Sequence, residues 1–341
     1  VGKGGEQAFG FASCERLPGA AEGMLVLMEE GGRRRLSNIE YTEIKREGIE
    51  HASHPANTNI LYANLRKITP VIQENPLPGL LLNMKNKEPY ICPKGQYREV
   101  RGGRLESMMQ NMSDALSSPI ETPLSTFLTY NLRKKTISTA KKSYEEGKSL
   151  LETPEGAFYD LLYNAHDLLK NHCQGNLSDF SSEVDYLRQG PSHLFLYHPA
   201  LGPLYSLIAQ KIRAPTLKEG SELQLEIADL LLDHLTLEGS LLIFAKNVLG
   251  HDSQGIIRYS QRTGKCILNN VHVINRGIHR KATTPYWKNQ IRRHESLKII
   301  LQGHSELYAE GVTFLRDQTL VVPHGERWVL TQGADGILHQ R

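Results

Sequence analysis

Glu40, Asn57 and Asn59 are residues of this 341-residue chain whose types and spacing could hold a ligand. Sugar hydroxyls both donate and accept, so a carboxylate and two carboxamides can match a vicinal pair without adding a net positive site. The stretch that carries them, Asn38 to Leu65, opens with Ile39 and Tyr41 alternating against Glu40 and Thr42, the pattern of a short strand with one wet face. Pro55-Ala56-Asn57-Thr58-Asn59 then reads as a turn leading into Ile60-Leu61-Tyr62-Ala63-Asn64-Leu65, the start of a buried helix or strand. The plainer alternative is a solvated strand glutamate followed by an Asx turn. A second candidate is the densest basic block, Arg133-Lys134-Lys135 with Lys141-Lys142, although such runs are more often solvated faces than phosphate sites.

The elements that must position these groups follow from patterning. Gly23 to Met28 is an apolar run long enough for a central strand, and Glu29 to Arg34 reads as a hairpin turn into the Ile39 strand. Leu80 to Asn83 and Leu124 to Asn131 are further β segments, and Pro70, Pro76 and Pro78 interrupt the pattern between Leu65 and Ile91. Arg104 to Leu116 places Leu105, Met108, Met109, Met112 and Leu116 in a helical stripe, in which methionines belong to a core. Thr153-Pro154-Glu155-Gly156 has the cap, proline and acidic first turn of a helix start, followed by apolar residues at helical spacing to Leu169. Residues 174 to 192 read as loop, and a short strand ends at His198-Pro199, where His198 has no partner at metal or triad spacing and reads as structural. From Ser221 the texture becomes short alternating strands with corners at Glu238-Gly239, Lys246-Asn247, Asn269-Asn270 and Gln302-Gly303, which rungs of a parallel β-helix would explain.

Composition narrows the function classes. Lys plus Arg at 40 against Asp plus Glu at 37 leaves +3, far from the basic stripe of a nucleic-acid binder, so nucleic acid is excluded as a partner. No apolar run of about 18 residues is present, so no spanning helix and no membrane partner is expected. Cys14, Cys92, Cys173 and Cys266 are widely spaced and form no CxxC pair, which argues for free thiols and a soluble protein of a reducing compartment, cytoplasm or plastid stroma. Val1-Gly2-Lys3-Gly4-Gly5 lacks Walker spacing, an initiator Met and a signal-peptide h-region.

The chain resembles the UDP-sugar pyrophosphorylases. The likeness runs in order through GFASCERLPGAAEGMLVLMEE, EYTEI, PANTNILY, LPGLLLN, GGRLESMMQNMSDAL, YNLRKK, TPEGAFYDLL, HPALGPL, SELQLEIADL and GKCILNNVHVINRGI, and it is strongest to the plastid type associated with sulfolipid synthesis. The resemblance implies the downstream half of a Rossmann-like, nucleotide-diphospho-sugar transferase mixed-sheet domain over residues 1–205. A linker and a left-handed parallel β-helix, a site of possible homo-oligomer contact, would occupy 206–341, with the rungs at about 221–332. It implies formation of UDP-glucose and pyrophosphate from UTP and glucose 1-phosphate. Gly23 would let the backbone approach the sugar, and Glu40 with Asn57 and Asn59 would hold it. The family's second turn asparagine aligns with Ile60 without a gap, so either Asn59 takes its place or Asn57 acts alone. Against the family's R-x-x-x-F-x-P-x-K element, Arg133 falls on the arginine and Lys141 on the lysine that reaches the phosphates, with Lys142 behind; Thr139 stands at the proline position and Arg104 replaces a glutamine. The family's nucleotide loop and the Asp that holds Mg²⁺ are expected upstream of Val1, which makes this chain a C-terminal portion carrying no metal ligand and inactive alone. The alternative from another class is a catalytically inert sugar-phosphate-binding and oligomerisation module.

Overall fold

The computed structural model of the chain describes residues 7–18, 20–49, 53–83, 87–246, 251–253, 256–258, 263–280, 291–334 and 336–340, so the Val1–Gly5 run and the Asn247 corner lie outside the described residues. The chain forms two compact units, Val1–Ser138 and Thr139–Arg341.

The first unit is built on β1 (Phe9–Cys14), β2 (Met24–Glu30), β3 (Arg33–Ile39), α1 (Tyr41–Glu47), β4 (Ala56–Ala63), α2 (Leu65–Glu74), β5 (Leu80–Asn83), β6 (Lys87–Ile91), β7 (Tyr97–Arg101), β8 (Arg104–Ser107), β9 (Ser118–Pro119) and β10 (Thr126–Asn131). Six strands make one mixed sheet in the order β10-β1-β4-β2-β3-β9, with β10 parallel to β1 and the other pairs antiparallel. Strand β2 is interior, as its apolar run predicts. Gly31 and Gly32 close the β2–β3 hairpin with φ of 58° and 74°, the left-handed pair that a two-residue turn between twisted strands requires. Phe9, Phe11, Leu25, Leu36, Ile68 and Met112 form its core.

Two sequence expectations are corrected here. Strand β3 stops at Ile39 and Tyr41 already belongs to α1, because the Glu40 carbonyl accepts from the Glu43 and Ile44 N–H groups and starts the helix. The stripe from Arg104 to Leu116 is not one helix. Its first part is drawn into the ladder with β5, Leu80 opposite Ser107, and only Met109–Ala115 coils, as a 3₁₀ turn. Side-chain bonds from that turn to β3, Ser37 Oγ to Asp114 Oδ1 at 2.6 Å among them, outweigh the periodicity, and Met109 is left exposed while Met112 is buried.

The second unit begins with α3 (Pro154–Asp167), whose cap is the expected one: Thr153 Oγ1 accepts from Gly156 N–H at 3.1 Å. The segment 174–192 that reads as loop contains α4 (Glu183–Gln189), capped by Ser182, and α5 (Tyr205–Lys211) follows. Three parallel sheets then wind into a β-helix. One stacks Leu194–Tyr197, Glu222–Glu226, Ser240–Ala245, Leu297–Leu301 and Gln318–Val322; its inward residues align as Leu223, Leu241, Leu297 and as Leu225, Ile243, Ile299. A second aligns Leu217, Leu237, Val273 and Phe314. The third carries Leu232, Leu268 and Ala309 and closes on the antiparallel strand Gly336–Gln340. The expected corners Gly239, Asn270 and Gly303 have φ of 116°, 49° and 55°. The coil opens earlier than Ser221, at Asn176–Leu177 and Leu194–Tyr197. Ala165, Leu168, Leu169 and Cys173 share its core with Leu217 and Leu223.

Candidate functional site

Gly23, Asn38, Glu40, Asn57 and Asn59 meet at one end of the mixed sheet because β2, β3 and β4 are neighbours there, with Met24 opposite both Ile39 and Ala56. The Gly23 carbonyl accepts from Asn57 N–H at 2.9 Å. On its other side Gly23 faces Asn38, whose Oδ1 a Cβ at position 23 would overlap. Asn38 Nδ2 donates to Glu40 Oε1 at 2.6 Å, and Gln110 Nε2, from the 3₁₀ turn, donates to the same oxygen at 3.2 Å. Glu40 Oε2 accepts no described hydrogen bond, so the carboxylate is held by one oxygen and presents the other. Glu40 is therefore neither a solvated strand residue nor a buried one; it is half-buried at a strand-to-helix junction.

The two asparagines serve different ends. Strand β4 bulges against β1 between Ala12 and Ser13, with Thr58 and Asn59 as the extra residues, and Asn59 takes φ of 58°, a conformation asparagine tolerates. Asn57 is buried, and its amide is committed to the bulge: its Oδ1 accepts from Asn59 N–H at 3.1 Å and its Nδ2 donates to Asn59 Oδ1 at 3.1 Å. Asn59 is exposed and keeps its own Nδ2.

Beside Gly23, Glu22 is 4% exposed, a buried carboxylate that composition alone does not flag. Arg133 satisfies it with a bidentate fork, Nη1 to Oε2 at 2.9 Å and Nη2 to Oε1, and Nη1 also donates to the Glu15 carbonyl at 2.7 Å. Burial works against the Arg133 charge, but the Glu22 bonds and charge outweigh it and the pKa is raised; the neighbouring Cys14 thiol is pushed up by burial, with Arg133 opposing. The fork is thus spent inside the protein. Lys141 and Lys142 belong to the second unit. Their backbone N–H groups both donate to the Glu152 carbonyl, at 2.8 and 3.1 Å, and Lys141 Nζ lies 3.3 Å from Glu152 Oε1 with its side chain 43% exposed. Glu152 is itself buried with φ of 62°, and Lys141 is tied to it through both backbone and side chain, while Lys142 is exposed.

Glu22, Asn38 and Gln110 are the site residues that sequence reasoning missed. A signal existed for two of them: Glu22 interrupts an apolar approach to β2, and Asn38 stands two residues from Glu40 on a strand, hence on the same face. Gln110 gave none, since it reaches Glu40 only through the 3₁₀ turn. Among the described residues no three His, Cys, Asp or Glu side chains are grouped to hold a metal ion. Two open grooves of about 590 and 650 Å³ lie on the β-helix unit, and none of the predicted site residues lines them. Several of their charges are engaged within the protein, Arg280 with Glu219 at 3.3 Å and Arg276 with Glu295 at 3.2 Å in one, Lys211 with the Leu201 and Ala228 carbonyls in the other.

The chain combines a mixed α/β sheet with a three-sided parallel β-helix, and residues 212–341 match the family described as UGP3-like, C-terminal hexapeptide repeats. The chain is 38% identical over 360 aligned residues to UTP--glucose-1-phosphate uridylyltransferase 3, chloroplastic, of Arabidopsis thaliana, covering 96% of this chain and 41% of that protein. The likeness to the UDP-sugar pyrophosphorylases, and among them to the plastid type, therefore holds along nearly the whole chain, while the chain spans about 41% of the length of this relative. Among solved structures, the UDP-glucose pyrophosphorylase S374W mutant from Leishmania major in complex with UDP-glucose covers 92% of this chain and 52% of its own at 12% identity and a TM-score of 0.27. The S374F mutant of that protein covers 95% and 51% at 11% identity and a TM-score of 0.26. Both likenesses are too distant to bear on the site. Among the described residues no helix is long and apolar enough to cross a membrane, and all four cysteines are free.

Proposed function

We propose that this chain supplies the sugar-phosphate half of a uridylyltransferase that joins UTP and glucose 1-phosphate into UDP-glucose and pyrophosphate. The observation that carries the reading is the corner at Gly23, where Glu40, just past the end of β3 and held by one oxygen, and the uncommitted Nδ2 of Asn59 on β4 lie on the two strands flanking β2, as an acceptor and a donor for hydroxyls. In the reaction a phosphate oxygen of glucose 1-phosphate attacks the α-phosphorus of UTP in line. The new P–O bond forms as the bond to the bridging oxygen breaks, and pyrophosphate leaves with the electron pair. Glu40 and Asn59 orient the sugar, with Asn57 bracing Asn59. Lys141, with Lys142 behind it, offsets charge on the phosphates, and Arg133 supports the corner by neutralising Glu22. The β-helix is the surface for self-association, and four free thiols suit a reducing compartment, cytoplasm or plastid stroma.

The test is pyrophosphate release by the full-length protein with UTP and the 1-phosphates of glucose, galactose or N-acetylglucosamine. Glucose 1-phosphate should be turned over. No turnover with any of the three would leave an inert sugar-phosphate-binding module as the better account. Lys141→Ala should lower kcat by ~10²–10³-fold, as the loss of one preorganised charge-stabilising donor does, and Lys134→Ala far less. Equal small effects would return the basic block to a solvated face.

A further inference from the structure

We infer that Asn38 and Gln110 are positioning residues for the sugar acceptor Glu40, and that position 23 is glycine because Asn38 fills the space above it. The inference rests on the reading of Glu40 as a sugar acceptor. Asn38 is 7% exposed, and its Oδ1 is buried with no described hydrogen-bond partner. Its Nδ2 is committed to Glu40. Turning the amide over would set Oδ1 against the Glu40 carboxylate, so the bond dictates that Oδ1 faces Gly23. There a Cβ would overlap Oδ1 and come to 3.2 Å from Asn38 Cγ and 3.0 Å from the Ile39 carbonyl. The close approach that glycine permits at this position is therefore to a side chain of the neighbouring strand. Any ligand contact at Gly23 would be an addition to that requirement.

The consequence falls on Glu40. Its Oε1 takes two donors, one from β3 and one from the 3₁₀ turn, and these arrive from elements far apart in sequence. A carboxylate held in this way has lost its rotamer freedom before a ligand arrives, so binding need not cost that ordering. Only Oε2 is left for the sugar. The site then reads a hydroxyl through one oxygen, instead of gripping a vicinal pair with both.

The experiment uses the full-length protein as wild type, Asn38→Ser, Gln110→Ala, Gly23→Ala and the double variant Gly23→Ala with Asn38→Ser. Gly23→Ala alone should lower the melting temperature by about 5 °C through overpacking, and the double variant should regain most of that loss because serine vacates the overlapped space. Asn38→Ser and Gln110→Ala should each raise KM for glucose 1-phosphate roughly tenfold, with kcat and the KM for UTP unchanged within about twofold. Strictly additive thermal losses in the double variant, or an unaltered sugar-phosphate KM in both single variants, would overturn the inference. If the wild type turns over no sugar phosphate, the uridylyltransferase reading fails and takes the positioning role with it. The thermal coupling then still decides whether Asn38 dictates Gly23.

Discussion

The mixed sheet and the β-helix spend their buried polar groups differently. In the β-helix the interior is a stack of like residues on like residues, Leu223 on Leu241 on Leu297, and each new rung adds ladder bonds and apolar contact together. Several of its buried polar groups are tied to neighbouring rungs, as where Asn275 Oδ1 accepts from Ser240 N–H at 2.8 Å and Glu222 takes the Arg293 fork, while the buried Ser240 and Ser305 hydroxyls have no described partner. The mixed sheet has a smaller core, and carboxylates and carboxamides at the ends of β2, β3 and β4 make a network that is satisfied on one side and open on the other. Redundant packing suits a scaffold. An incompletely satisfied corner is what a ligand can complete.

Substitutions should separate the two regions. Leu237→Ala removes a fully buried rung residue between Leu217 and Val273, and the loss of packing plus the cavity should cost ~2–5 kcal/mol, read as an early thermal transition with catalytic constants per folded molecule unchanged. A loss under about 1 kcal/mol would mean that the rungs are less cooperative than their register implies.

Acid should also act on the second unit. His193 is buried, with Nε2 3.3 Å from the Leu217 carbonyl; burial lowers its pKa to about 4, the carbonyl opposing, and burial lowers that of nearby His166. Because the unfolded chain binds protons at these histidines more readily, stability is present above pH ~6.5 and is lost as pH falls toward about 4, by ~3 kcal/mol in full for His193. Denaturant melts between pH 7 and 4.5 should show the loss, and His193→Gln should flatten it. An equal slope in the variant would place the acid sensitivity elsewhere.

The first unit should respond the other way, in affinity. Glu40→Ala should weaken glucose 1-phosphate binding by roughly 1–3 kcal/mol, about 5- to 150-fold, with Glu40→Gln intermediate and melting temperatures nearly unchanged. Calorimetric titration beside a thermal melt checks both halves, and unchanged affinity in Glu40→Ala would move the sugar site off this corner. The smallest effect is expected at Leu82, an exposed residue on the β5–β8 ribbon, where Leu82→Ser should shift stability by no more than ~0.5 kcal/mol. A larger loss would show that this apolar face is covered.

Much of this molecule was legible in residue order. The Gly31-Gly32 hairpin, the β2 run, the Thr153-Pro154 helix start and the corners at Gly239, Asn270 and Gly303 are each written locally, because a turn type or a cap makes its demand on two to four adjacent residues. Glu40 and Asn59 were legible as polar candidates for a similar reason: they interrupt patterns. What tertiary structure alone decided are the partners that arrive from a distance. The stripe at Leu105 to Leu116 met every local condition for a helix, yet the ladder with β5 claimed its first half. Arg133 matched a phosphate-binding pattern, yet a buried carboxylate on the approach to another strand took its fork. Asn57 and Asn59 were equivalent in the sequence until a bulge buried one and turned the other outward. In each case local preference is worth a few tenths of a kcal/mol to ~1 kcal/mol per residue, while an unpaired buried charge or a forfeited strand costs several times that. The long-range term therefore decides wherever the two compete.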